Sequence, residues 1–130
     1  MAEAAANSDL CQQEGYDFMA AAFDVYNELG SGFLEEVYQE SLELELVARK
    51  MPFVSKPALS VYYRGTPLQK HYYPDLIVLD QILVELKAVK TAAPEHEAQL
   101  LNYLKATRKR VGYLLNFGAS PRLQWKRFVL

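Results

Sequence analysis

The chain has 130 residues, 51% of them hydrophobic and 23% charged, with a formal net charge of −2. That composition suits one compact α/β domain and argues against disorder. One cysteine, Cys11, leaves no disulfide framework or intrachain zinc cluster, and no apolar run reaches the length of a membrane span.

The opening stretch MAEAAANSDL has neither a basic start nor a long apolar core. It does not read as a signal peptide, and a cytoplasmic location is expected. Residues 1–13 read as a disordered tail and residues 14–130 as a single domain. From Glu14 a helical period appears at Tyr16, Met19, Ala20, Phe23 and Tyr26, ending at Gly30. A second helix is expected from about Phe33 to Arg49, stopped by Met51-Pro52. On it, Glu35 shares a stripe with Tyr38, Leu42 and Leu46, whereas Glu36 lines up with Glu40 and Glu43 on a solvated face. Glu35 therefore opens the apolar side, where the helix N-terminus also favours a carboxylate.

Three strands follow: Leu59 to Tyr63, Lys70 to Leu79 and Ile82 to Val89. Pro74 must sit where no ladder donor is needed, at an edge or a bulge. Pro94, Glu95 and Glu97 suit the first turn of a third helix. Leu100, Leu101 and Leu104 form its core side, and His96, Gln99 and Tyr103 another stripe. His96 reads as a surface or satisfied residue. Val111 to Asn116 and Leu123 to Leu130 are the last two strands. The expected order is ααβββαββ, a mixed sheet of about five strands flanked by helices, with a right-handed crossover through the third helix.

The stretch from Tyr72 to Lys90 organises the chain. Glu85 and Lys87, two residues apart, point to one face of their strand. Asp75 and Glu85 lie in otherwise apolar strands, which is costly unless something pairs with them. A divalent metal held by Asp75 and Glu85, with Lys87 beside it, would supply that compensation. Parity limits the idea. A two-residue turn at Asp80-Gln81 would place Asp75 opposite Leu86 and away from Glu85. Convergence requires a three- or five-residue loop, or a bulge near Pro74. The turn lacks the Asn-Gly signature of a tight two-residue loop, so one of these is expected.

Charge is unevenly spread. Residues 1–97 carry all 16 acids and 7 of the 14 bases. The remaining bases, Lys105, Arg108, Lys109, Arg110, Arg122, Lys126 and Arg127, lie in a tail of the sequence without acids. They are candidates for meeting phosphates, or for balancing the acidic helices within the fold or across a subunit contact.

The motif Gly32-Phe33-Leu34-Glu35-Glu36-Val37-Tyr38 resembles the pattern that names the GxxExxY protein family. The likeness continues through Tyr73-Pro74-Asp75-Leu76, Val84-Glu85-Leu86-Lys87-Ala88-Val89, Glu97 to Leu104, and Asn116-Phe117-Gly118-Ala119. That family looks like a compact branch of the PD-(D/E)XK nucleases. The resemblance implies a metal-dependent phosphodiesterase acting on nucleic acid, DNA first, with Mg²⁺ or Mn²⁺ as cofactor. It implies Asp75 and Glu85 as metal ligands, the Leu86 carbonyl as a further ligand and Glu35 completing the shell. Lys87 would orient or activate the attacking water, and Gln99 would support the site. Lys105, Arg108, Lys109, Arg110, Lys126 and Arg127 would meet nucleic acid. One alternative is a non-catalytic module that binds nucleic acid or a protein partner on the same fold. Another is a homodimer or larger oligomer, because so small a domain has little surface with which to grip a duplex.

Overall fold

The computed structural model describes residues 10–130. Helix α1 (Gln12–Leu29) packs on α2 (Glu35–Ala48), and strands β1 (Phe53–Ser55), β2 (Leu59–Tyr63), β3 (Thr66–Tyr72), β4 (Leu76–Val78) and β5 (Ile82–Lys87) follow. Helix α3 (Pro94–Thr107) then leads to β6 (Val111–Asn116) and β7 (Gln124–Val129). Five strands form a mixed sheet in the order β1-β4-β5-β6-β7, and β2 pairs with β3 in a separate two-stranded sheet. Only β5 and β6 run parallel within the mixed sheet, joined through α3 as a crossover requires.

The α/β class and the five-stranded mixed sheet agree with the sequence reading, but the strand membership differs. The stretch expected as one strand from Lys70 to Leu79 is broken at Tyr73-Pro74-Asp75, and its halves join different sheets. Strand β1 has no counterpart in the sequence reading. It completes the sheet by pairing Phe53 with Val78 and Ser55 with Leu76. The first helix begins at Gln12, two residues before the expected start, with Gly15 N–H donating to the Cys11 carbonyl. The rest of the expected tail, residues 1–9, lies outside the described residues.

The sheet buries both faces. Leu76, Val78, Ile82, Val84 and Leu86 pack under α1 and α2 with Phe18, Ala22, Tyr38, Leu42 and Leu46. Ile77, Leu83 and Leu114 pack on the other side with Leu100 and Leu104 of α3 and with Tyr72. Alternation along β5 therefore assigns odd positions to the α3 side and even positions to the α1–α2 side.

The GxxExxY stretch is a clamp at the start of α2. Gly32 has φ 109, a conformation that side chains with a Cβ disfavour. The Tyr38 hydroxyl donates to the Gly30 carbonyl at 2.5 Å and accepts from Phe33 N–H at 3.2 Å. Its ring stacks on Phe117, with centroids 4.6 Å apart. Removing only the hydroxyl, as in Tyr38→Phe, should lower stability by about 1 kcal/mol. A urea titration should show a lower midpoint at unchanged slope. Full stability in Tyr38→Phe would show that the clamp is not needed to hold this turn.

Candidate active site

The loop between β4 and β5 is Leu79-Asp80-Gln81, three residues long, because Val78 pairs with Ile82. Leu79 and Asp80 both have positive φ, near 54° and 58°. The parity condition is met. Leu76 pairs with Val84, and one further step along the ladder sets Asp75 against Glu85. Asp75 N–H donates to Glu85 Oε1 at 3.2 Å.

Strand β4 begins only at Leu76, so β5 runs on past its neighbour. Leu86 N–H is met there by the Asp75 carboxylate, whose Oδ2 accepts it at 2.7 Å. Glu85 Oε1 also accepts from the Tyr72 hydroxyl at 2.7 Å. Each acid is thus held by one oxygen. The other oxygens, Asp75 Oδ1 and Glu85 Oε2, make no hydrogen bond among the described residues.

Around them opens a polar cleft of about 340 Å³, lined by Glu35, Glu36, Gln39, Lys56, Asp75, Glu85 and Lys87. Glu35 reaches it as the first residue of α2 and is partly buried. Lys87 reaches it from β5, two residues beyond Glu85 on the same face. Its carbonyl is tied to the Asn116-Phe117-Gly118 turn through Phe117 N–H at 2.8 Å. Asn116 Oδ1 secures the same turn by accepting from Val89 N–H and Gly118 N–H. A Cβ at Gly118 would lie 2.4 Å from backbone atoms of Val89, so no side chain fits there. The Asn116 to Ala119 motif thereby fixes the end of the strand that carries Glu85 and Lys87.

Burial dominates the electrostatics. It pushes Glu85 up to about 7, helped by the neighbouring Asp75 carboxylate and opposed by the Tyr72 hydroxyl, the Asp75 N–H and Lys87. Burial also raises Asp75, against the Leu86 N–H and the charges of Lys56 and Lys87. Glu35 is raised by burial, with Lys87 pulling it down and Asp75 pushing it up. In all three, desolvation outweighs the compensating charge of nearby lysines.

Hard carboxylate oxygens in a polar cleft are suitable donors for a divalent cation such as Mg²⁺ or Mn²⁺. The free oxygens of Asp75 and Glu85 fit that role. The fit is partial for the third ligand. Among the described residues, no three His, Cys, Asp or Glu side chains already stand as a metal cage. Glu35 lines the cleft without completing one.

Three residues of the site are not singled out by the sequence. Gln39 Nε2 donates to the Asp75 carbonyl at 2.8 Å and to Glu43 at 2.7 Å. Lys56 lines the cleft, and its N–H donates to the same carbonyl at 3.0 Å. Tyr72 holds Glu85 and stacks flat on Tyr103 of α3, with centroids 3.8 Å apart. Gln39 lies one helical turn after Glu35, and Tyr72 belongs to the Tyr72-Tyr73-Pro74-Asp75 run, so both leave a trace in the sequence. Lys56 leaves none. Glu36, expected on a solvated face, is exposed but stands at the cleft rim.

Gln99 is exposed on α3, one turn before Tyr103, and does not line the cleft. His96 accepts from Ala93 N–H at 3.3 Å and serves the helix start. Of the bases expected to meet nucleic acid, Arg108, Lys109 and Arg110 line one small pocket, whereas Lys126 and Arg127 are adjacent on β7 and have partners on different sides. Lys126 pairs with Glu97 at 2.8 Å on the α3 side. Arg127 donates to the Leu10 carbonyl on the α1 side. Lys109 bonds the Asp80 carbonyl, and Arg110 bonds the Leu130 carbonyl. These two precede Val111, which pairs with Ile82 at the far end of β5. That end lies about 15 Å from Lys87 at the usual rise per residue. Lys105 is exposed on α3, and Arg108 lies over the Tyr62 ring, 4.0 Å from its centroid.

No helix of the described residues is long and apolar enough to cross a membrane. No curated protein matches the sequence. Among solved structures, the chain is similar to SSO0001, with a TM-score of 0.56 and 17% identity over 72% of this chain and 48% of that one. It spans about half the length of that protein, and the likeness concerns the fold. An alkaline exonuclease from Laribacter hongkongensis aligns at a TM-score of 0.46 and 13% identity, over 88% of this chain and 81% of that one. A family model matches residues 12–128, a range that takes in Glu35, Asp75, Glu85 and Lys87, and the chain therefore belongs to the PD-(D/E)XK nuclease superfamily.

Proposed function

We propose that the chain hydrolyses phosphodiester bonds in nucleic acid, DNA first, using Mg²⁺ or Mn²⁺ held by Asp75 and Glu85. The observation that supports this best is the pairing of two half-buried acids, each anchored by one oxygen and offering the other to an open polar cleft. A cation bound there supplies a more acidic water and neutralises non-bridging phosphate oxygens. Leu86 N–H fixes the Asp75 carboxylate, and the Leu86 carbonyl and Glu35 are proposed as further ligands. Tyr72, backed by Tyr103, fixes Glu85. Lys87 orients the attacking water and offsets charge as it builds on the phosphorus-bound oxygens. Gln99 is assigned a supporting role through the α3 stripe it shares with Tyr103. The GxxExxY likeness supports joining Glu35 to this set.

The test is incubation with labelled single-stranded, duplex and branched substrates in Mn²⁺, with Asp75→Ala as control. Cleavage that needs both Mn²⁺ and Asp75 supports the proposal. Cleavage indifferent to Asp75 would refute this site, and no cleavage of any substrate favours a module that binds without turnover.

A second expectation needs no substrate. A cation that binds only the folded state stabilises it by mass action. For a dissociation constant on the order of 1 mM and about 10 mM free Mg²⁺, the gain is about 1.4 kcal/mol. At this chain length that raises the melting temperature by roughly 4–8 °C. Asp75→Asn removes one of two neighbouring negative charges. It should melt higher than wild type without metal and gain less when metal is added. If Mg²⁺, Mn²⁺ and Ca²⁺ leave the melting point unmoved while Asp75→Asn lowers it, the acids serve only the fold.

A further inference from the structure

The segment from Lys56 to Pro74 contains no Asp or Glu, but it carries Lys56, Arg64 and Lys70 and four tyrosines. It forms the β2–β3 hairpin and runs from one cleft residue, Lys56, almost to another, Asp75. In β3 every residue before Tyr72 is exposed. The hairpin packs through β2 against α3, and Leu59, Val61 and Tyr72 supply its inner contacts. Tyr63, Arg64, Lys70, His71 and Tyr73 are left exposed.

Two aromatic stations stand on it. Tyr73 is 62% exposed, two residues before Asp75, and His71 meets it edge to face with ring centroids 6.3 Å apart. Tyr63 is 61% exposed at the other end, beside the Arg64-Gly65 turn. The Arg64 guanidinium lies over the Tyr63 ring, 5.4 Å from its centroid. Arg108 of α3 lies over neighbouring Tyr62 and brings one more cation to this end. Along the strands the two stations are about 15 Å apart.

We propose that this hairpin is the nucleic-acid guide of the protein, and that its ligand is a single strand with unpaired bases. The proposal deepens the nuclease assignment of the cleft and rests on it for the direction in which the strand is fed. Exposed tyrosine faces stack on any base, and bases held in a duplex cannot offer theirs. Arg64, Lys70 and Arg108 supply the phosphate attraction, with no acid on the hairpin to oppose it. A strand stacked on Tyr73 and His71 lies two residues from Asp75, so its backbone enters the cleft. The hairpin also assigns a role to Arg108, whose guanidinium lies over Tyr62.

The experiment is fluorescence anisotropy with labelled single-stranded and blunt duplex oligonucleotides of equal length, in EDTA so that no cleavage intervenes. Wild type should bind the single strand at least roughly tenfold more tightly. Tyr63→Ala and Tyr73→Ala should each weaken single-strand binding roughly 5- to 150-fold. Both side chains are exposed, so melting temperatures should be unchanged. Lys70→Glu with Arg64→Glu should flatten the salt dependence by about 0.7 for each phosphate no longer neutralised. Equal or tighter duplex binding, full affinity in both tyrosine variants, or no binding of either probe at low salt would overturn the proposal. The same variants separate it from the cleft assignment. Loss of cleavage in Asp75→Ala, with unchanged affinity and KM in Tyr63→Ala and Tyr73→Ala, refutes the hairpin alone. Wild-type cleavage in Asp75→Ala refutes the cleft assignment, while anisotropy still judges the hairpin.

Discussion

Asp75→Ala and Glu85→Ala should each abolish Mn²⁺-dependent cleavage, a loss of at least about 10³-fold, whereas Lys87→Ala should lower turnover and leave metal binding nearly intact. The reason lies in the geometry. Asp75 and Glu85 offer the free oxygens of the cleft, so under the proposed function losing either would remove the cation and everything that depends on it. The proposed role of Lys87 is not to hold the metal but to act on water and phosphate once those are in place, so its loss should appear in kcat more than in cation affinity. Steady-state kinetics beside calorimetric Mn²⁺ titration separates the cases. Equal loss of Mn²⁺ affinity in all three variants would remove the role assigned to Lys87. Glu35→Ala should fall between them, because Glu35 lines the cleft without completing a cage. Glu36→Ala should change little, since its side chain is exposed at the rim.

Metal-free stability should fall by about 3 kcal/mol as the pH rises through the window in which Glu85 titrates. Burial raises this carboxyl from 4.5 to about 7 in the folded chain. Below about 4.5 it is protonated in both states and the folded state carries no penalty. Between about 4.5 and 7 the unfolded chain releases the proton while the folded chain keeps it, so stability declines with pH. Above about 7 the full cost of a buried charge is present. Asp75 and Glu35 are raised in the same direction and add to the slope. The two adjacent acids titrate as a pair, so the observed midpoints belong to both. Urea midpoints measured across this range should trace the decline, and Glu85→Gln should flatten most of it. Mn²⁺ reverses the sign, because binding requires the ionised carboxylate, and apparent affinity should climb as the pH approaches 7. A metal-free stability that is flat or rises with pH would show that Glu85 is not desolvated as described.

The parity of the β4–β5 connection is legible in the sequence. Two acids ten residues apart converge only across an odd loop or a bulge, and the structure has the three-residue loop. The split of the Lys70 to Leu79 run is harder to read. Tyr72-Tyr73 is followed closely by the apolar run Leu76 to Leu79, and only Pro74 hints that the chain leaves one sheet for another. Strand β1 has three residues directly after Met51-Pro52, too few to display a period. Glu35, Asp75, Glu85 and Lys87 are recognisable because charge inside an apolar pattern is costly. Gln39 and Lys56 serve the site through the Asp75 carbonyl, a backbone partner that no side-chain pattern reveals. The basic C-terminal third misleads in another way. Counting charges along the chain is blind to face and strand end, so Arg127 turned toward α1 and Lys126 toward α3 look like neighbours. The acid-free hairpin carries fewer bases, but exposed Tyr73 follows it two residues before Asp75.

The central claim is that Asp75 and Glu85 together hold a divalent cation, and direct titration of the metal-free protein with Mn²⁺ tests it most simply. Wild type should bind Mn²⁺ in a saturable step near pH 7, with a dissociation constant on the order of 1 mM or below and a stabilisation that follows mass action. Asp75→Ala should abolish that step while keeping its circular dichroism spectrum. Absence of Mn²⁺ binding in wild type, or an unchanged isotherm in Asp75→Ala, would contradict the account.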